Sequence, residues 1–99
     1  MLHIVNKSPE GSGGLAGCLR VAQDGDSVLL IEDAVYAATE PTASRCGIAQ
    51  AAQRLKVLVL QPDLEARGIA SRRVAPVEPV DYGGFVDLVA ANPTSQSWL

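Results

Sequence analysis

Ser27-Val28-Leu29-Leu30-Ile31-Glu32-Asp33 is the stretch on which the fold turns. Five residues with almost no polar interruption read as a strand apolar on both faces, the pattern of a parallel sheet covered on two sides. The acidic pair stands where the strand ends. The segments around it repeat the theme. Leu2 to Asn6 is a short buried strand rich in β-branched residues, and Leu55 to Leu60 is a third strand. Between the first two strands, Leu15, Cys18, Leu19 and Ala22 recur at helical spacing and form one apolar stripe, with Arg20 and Gln23 off it. Lys7 to Gly14 is the loop leading into that helix, with Ser8-Pro9 or Ser12 available as caps. Asp24-Gly25-Asp26 turns the chain into the next strand.

Further along, Ala34 to Thr39 predicts a short helix that stops before Pro41, and the Ala-rich Thr42 to Arg54 predicts a second. Pro62 to Gly68 has Pro near its start and Gly just past its end, a helix signature. Val74 to Val80 carries Pro76 and Pro79 and predicts an edge strand or an extended connector. Asp81 can cap a helix from Tyr82 to Ala91, whose stripe is Phe85, Val86, Leu88 and Val89 and which Pro93 stops. Ser95 to Leu99 predicts a last short strand. Strands alternating with helices imply an α/β fold: one small domain over residues 1–99, with a mostly parallel central sheet of about five strands and helices on both faces. So thin a set of helices leaves such a sheet incompletely covered, and other subunits are expected to finish the job.

Composition sets the outer limits. The chain has 99 residues, 47% hydrophobic and 19% charged, enough to fold as one core and too apolar for disorder. Its net charge of −3 and 4% aromatics argue against direct contact with nucleic acid. No apolar run approaches the roughly 20 residues of a membrane helix. The opening Met1-Leu2-His3-Ile4-Val5 reads as a first strand rather than a signal peptide, and two cysteines are too few for a disulfide scaffold, so a reducing cytoplasm is the expected setting.

Four groups bear on chemistry. His3 is the one histidine and sits in a strand, which favours a packed side chain over a ligand. Cys18 and Cys46 fit no short-spaced metal-binding pair, and no metal or cofactor is expected. Gly11-Ser12-Gly13-Gly14-Leu15-Ala16 matches a dinucleotide-binding fingerprint between a strand and a helix, with Glu32-Asp33 near the place of a ribose-binding carboxylate. Lys7 to Glu10 separates strand from glycine, however, and removes the tight turn. A small nucleotide-binding module using Gly11 to Ala16 is thus the alternative of another class. Cys18 is the residue able to carry thiol chemistry, yet it falls in the apolar stripe, where a cysteine ordinarily packs as a small hydrophobe.

Leu2-His3-Ile4-Val5-Asn6-Lys7-Ser8-Pro9 resembles the opening of the DsrH/TusB family. Gly25 to Asp33, Tyr36-Ala37-Ala38, Asp63 to Gly68, Val80 to Leu88 and Trp98 agree in order and spacing. The resemblance implies an accessory or sulfur-carrier subunit, rather than a stand-alone enzyme, of a cytoplasmic sulfur-relay complex. That complex is a heterohexamer with two copies each of this chain, a DsrE/TusD-like chain and a DsrF/TusC-like chain, and it passes persulfide sulfur to a DsrC/TusE-type acceptor. DsrH-type members serve sulfur oxidation; TusB-type members feed 2-thiolation of the tRNA wobble uridine. A first-helix cysteine marks the DsrH type, and Cys18 occupies the matching position, which makes it the candidate persulfide carrier and tilts the reading toward sulfur oxidation, with tRNA thiolation as the alternative. Cys46 matches no family position. Ala34 stands where the family usually has Gly, so the turn after Glu32-Asp33 is expected to differ in shape.

Overall fold

The protein is described by a computed structural model over residues 1–98. Five parallel strands form one sheet: β1 (Leu2–Val5), β2 (Ser27–Leu30), β3 (Lys56–Leu60), β4 (Glu78–Val80) and β5 (Ser95–Trp98), in the order β4-β3-β2-β1-β5. The helices are α1 (Gly14–Val21), α2 (Thr42–Cys46), α3 (Ile48–Ala51), α4 (Gln61–Ala66) and α5 (Tyr82–Ala91), with 3-10 segments at Glu32–Ala38 and Ala70–Arg72. The expected α/β architecture is therefore present. The last residue of the expected strand from Ser95 to Leu99 lies outside the described residues.

The order of the strands explains how the faces are covered. From β1 to β4 the chain steps across the sheet in one direction, and crossovers of one hand then all fall on one face. The return from β4 to β5 runs the other way, so the same hand puts α5 on the opposite face. Two cores result. The first joins Val5, Val28, Leu30, Val57 and Val59 to Leu15, Cys18, Val35, Ile48 and Leu64 of the helical layer. The second holds only Leu2, Leu29 and Leu58, with Ile4, Ile31, Val80, Phe85 and Leu88 partly buried against them. All four residues of β2 are buried, as its unbroken apolar run requires of the central strand.

Four local details differ from expectation. The helix expected from Thr42 to Arg54 is split at Gly47, whose φ of +71° breaks the helical path between α2 and α3. The helix expected from Ala34 begins earlier, at Glu32, and is 3-10. The left-handed residue after β2 is Glu32 itself, with φ +51°, whereas Ala34 is fully buried inside the 3-10 segment. The connector from Val74 contributes just three residues to β4. Pro79 lies on this edge strand, where a missing N–H costs no ladder bond.

Candidate functional site

Cys18 lies in the second turn of α1, where the apolar stripe turns it inward. It is fully buried in the first core. Burial, reinforced by the carboxylate of Asp26, pushes its thiol up to about 11. At neutral pH this is a protonated, enclosed thiol, and nucleophilic sulfur chemistry needs an accessible thiolate. Cys46 ends α2 just before Gly47 and is half-buried. Burial raises its thiol as well; the neighbouring Arg45 works against that shift, although the guanidinium is engaged by Glu10. Cys46 borders a depression of about 240 Å³ shared with Pro9, Ser12, Leu15 and Leu19.

The Gly11 to Ala16 loop does not assemble a dinucleotide cradle. Eight residues separate the end of β1 from the start of α1. A turn closed by Gly11 N–H donating to the Ser8 carbonyl fills part of that gap. The Ser12 hydroxyl accepts from the first helical N–H, that of Gly14, at 3.2 Å. Asp33, near the expected ribose position, is held by Arg67 through Nε and Nη2 at 3.1 and 2.9 Å. Asp63 accepts from the N–H of Glu32 at 2.6 Å, which stabilises the left-handed backbone there. The C-terminal edge of the sheet is thus tied by Asp63 of α4 and by Arg67 just past its end. It also carries one orphan: the buried Oδ1 of Asn6 has no hydrogen-bond partner. The β1–β2 register sets Asn6 level with Ile31, one residue before Glu32.

His3 belongs to a polar network at the other end of the sheet. It is buried, with Nε2 2.9 Å from Asp26 Oδ2 and Nδ1 3.2 Å from Trp98 Nε1. An indole N–H only donates, so Nδ1 is the acceptor and Nε2 carries the proton that His3 donates to Asp26. Asp26 also accepts from the N–H of Gln23 and from the Met1 amine. Led by the bond from His3, these donors hold its carboxyl down at about 2. The Trp98 ring in turn lies on α1, where a Cβ added to Gly17 would stand 3.3 Å from Cζ3. His3 is therefore a link between β1, the turn before β2 and the edge strand β5. Sequence reading found His3, Trp98 and Asp26 separately; their spacing of 23 and 95 residues gave no sign that they meet. Among the described residues, no three of His, Cys, Asp and Glu stand together as a metal site, and no helix is long and apolar enough to cross a membrane.

What remains open is α5. None of its residues is buried, and Tyr82, Val86 and Val89 stand exposed on its outer side.

Similarity to known proteins agrees with the resemblance noted in the sequence. A family model described as DsrH like protein matches residues 7–95. Protein TusB of Enterobacter sp. (strain 638) is 37% identical over 98 residues, covering 99% of this chain and 100% of that protein. Protein TusB of Sodalis glossinidius is 32% identical with the same coverage. Among solved structures, the ychN protein from E. coli superposes with a TM-score of 0.79 at 19% identity, covering 97% of both chains. MTH1491 of Methanobacterium thermoautotrophicum, a protein of unknown function, gives 0.73 at 11% identity, covering 97% of this chain and 95% of that one. The two structures share the fold. With the family model spanning nearly the whole sequence and full-length relatives above 30% identity, the chain belongs to the DsrH-like family, that of the proteins named TusB.

Proposed function

We propose that this chain, acting as one domain over residues 1–99, is a subunit of a sulfur-relay assembly of the TusB type, which feeds 2-thiolation of the tRNA wobble uridine. The observation that carries the reading is the end-to-end match to proteins named TusB. On this reading it works in the cytoplasm beside a DsrE/TusD-like and a DsrF/TusC-like chain, two copies of each, and the assembly hands sulfur to a DsrC/TusE-type acceptor. In each transfer the acceptor thiolate attacks the outer sulfur of a persulfide. A new S–S bond forms, the old one breaks, and the donor leaves as a thiolate. The enclosed, protonated Cys18 supports a role for this subunit as scaffold to thiols on the sister chains.

The second reading is a DsrH-type subunit in sulfur oxidation, with Cys18 as the sulfur-accepting thiol. It is favoured by the position of Cys18 in the first helix. That role requires α1 to lift from the sheet before the thiol can react.

The test is removal of the gene and mass spectrometry of digested tRNA. The TusB-type reading expects loss of wobble 2-thiouridine, restored by the wild-type chain and equally by Cys18→Ser. Unchanged thiolation in the deletion strain would overturn it. Thiol labelling of the native protein sharpens the choice. Cys46 is expected to react first and Cys18 only on unfolding; rapid labelling of Cys18 would favour the sulfur-accepting role.

A further inference from the structure

The second face of the sheet ends in a surface that water should not be left to cover. Phe85 and Leu88 point α5 at Leu2, Leu29 and Leu58 yet are themselves only partly buried. On the outer side, Tyr82, Val86 and Val89 are 61%, 66% and 46% exposed. With Phe85 and Ala90 they line a shallow depression of about 400 Å³ whose walls are almost wholly apolar. Contiguous exposed apolar surface of this kind marks a contact site.

Charge selects the occupant. From Val74 to Trp98 the sequence holds three carboxylates, Glu78, Asp81 and Asp87, and no Lys or Arg. All three are exposed. Asp81 caps the helix through Gly84 N–H at 2.8 Å and so is fixed at the N-terminal margin of the patch. Glu78 and Asp87 border the adjoining groove on the β4 side, where Lys56 is the single cation among the lining residues. At the N-terminal end of α5 and along its β4 flank, carboxylates therefore outnumber that cation three to one. A second copy laid on this face would bring acidic margins together around the apolar centre, and like charges across an interface are selected against. A partner with the same apolar centre and a basic rim meets no such penalty.

We propose that the outer face of α5 seats a chain of different sequence, apolar at its centre and carrying Lys or Arg at its rim, as the site by which this subunit joins its assembly. The inference rests on the subunit reading above. Tyr82 supplies a large, stiff contact residue at low entropic cost, while Val86 and Val89 add exposed apolar surface beside it.

The experiment co-expresses this chain with its DsrE/TusD-like and DsrF/TusC-like counterparts and follows assembly by size-exclusion chromatography and light scattering. Val86→Asp places a charge at the centre of the patch and is expected to weaken association at least tenfold, while the isolated variant keeps the wild-type circular dichroism and urea midpoint. Asp87→Lys is expected to weaken it less, and added salt should weaken the wild-type complex in the same sense. A photo-crosslinker at position 86 gives a readout that does not depend on a destabilising change, and it should join this chain to a sister chain. Undiminished assembly of folded Val86→Asp, or no cross-link from position 86, would overturn the α5 site and leave the subunit reading standing. A self-associated wild-type chain that Val86→Asp disperses would replace the heterologous partner with a second copy. Failure of the wild-type chain to assemble with either counterpart would overturn both readings.

Discussion

The two faces of the central sheet are built from the same strands but to different standards. One carries α1 to α4 and two 3-10 segments, and its inward side chains from Val5 to Leu64 are excluded from water. The other carries α5 alone, and even the residues that anchor this helix remain part-exposed. The strands are not the cause, since Leu2, Leu29 and Leu58 are as apolar as their neighbours on the opposite side. Topology is the cause: three crossovers in one direction cover one face, and a single return covers the other. The α5 face is thus the less covered of the two, and the docking proposal rests on that inequality.

The sharpest contrast comes from truncation on each side. Leu30→Ala removes a side chain with no exposure from the first core and is expected to cost about 2–5 kcal/mol, read from the urea midpoint. Val86→Ala on the outer side of α5 should change the isolated chain by no more than about 0.5 kcal/mol. Equal losses at the two sites would erase the distinction between the faces.

Much of this arrangement was legible in the chain. The unbroken Val28-Leu29-Leu30 run announced a strand covered on both faces, Pro79 an edge strand or connector, and Asp81 the start of α5; each is a local signal with a local outcome. What escaped was either non-local or decided by a backbone angle. Gly47 reads as a tolerated helical glycine until its positive φ is seen. The guanidinium of Arg54 donates to the carbonyls of Leu19 and Ala22, closing the end of α1 from 35 and 32 residues away. In the sequence it is only the last residue of an Ala-rich stretch. The candidate site divides in the same way. The apolar stripe foretold an inward Cys18, but the rise of its thiol also owes something to Asp26, which the stripe does not reveal.

The Asp26 network offers the next test. Its carboxyl is held at about 2 in the folded chain, below the ordinary 3.8, so it stabilises the fold above about pH 4 and loses that contribution as pH falls toward 2. Urea midpoints of wild type and Asp26→Asn should differ fully at pH 5 and converge between about pH 4 and 2. A difference independent of pH would mean that the carboxylate charge is not what binds β1, β2 and β5 together there.

A smaller change probes the open face from within. Asp81→Ala removes the cap of α5 and is expected to destabilise that helix by about 1 kcal/mol. Because α5 buries so little, the loss should show as faster amide exchange along Tyr82 to Ala91 with the first core unaffected. Loosening of β2 and β3 in the same variant would mean that the two faces unfold as one.

The central claim is that α5 belongs to an interface, and hydrogen exchange followed by mass spectrometry tests it most directly. In the isolated chain, the peptides of β2 and β3 should be strongly protected and those of α5 weakly so. On assembly with the sister chains, α5 should gain protection of at least tenfold while β2 and β3 change little. Protection of α5 already complete in the isolated chain, or unaltered in the assembled one, would contradict the account.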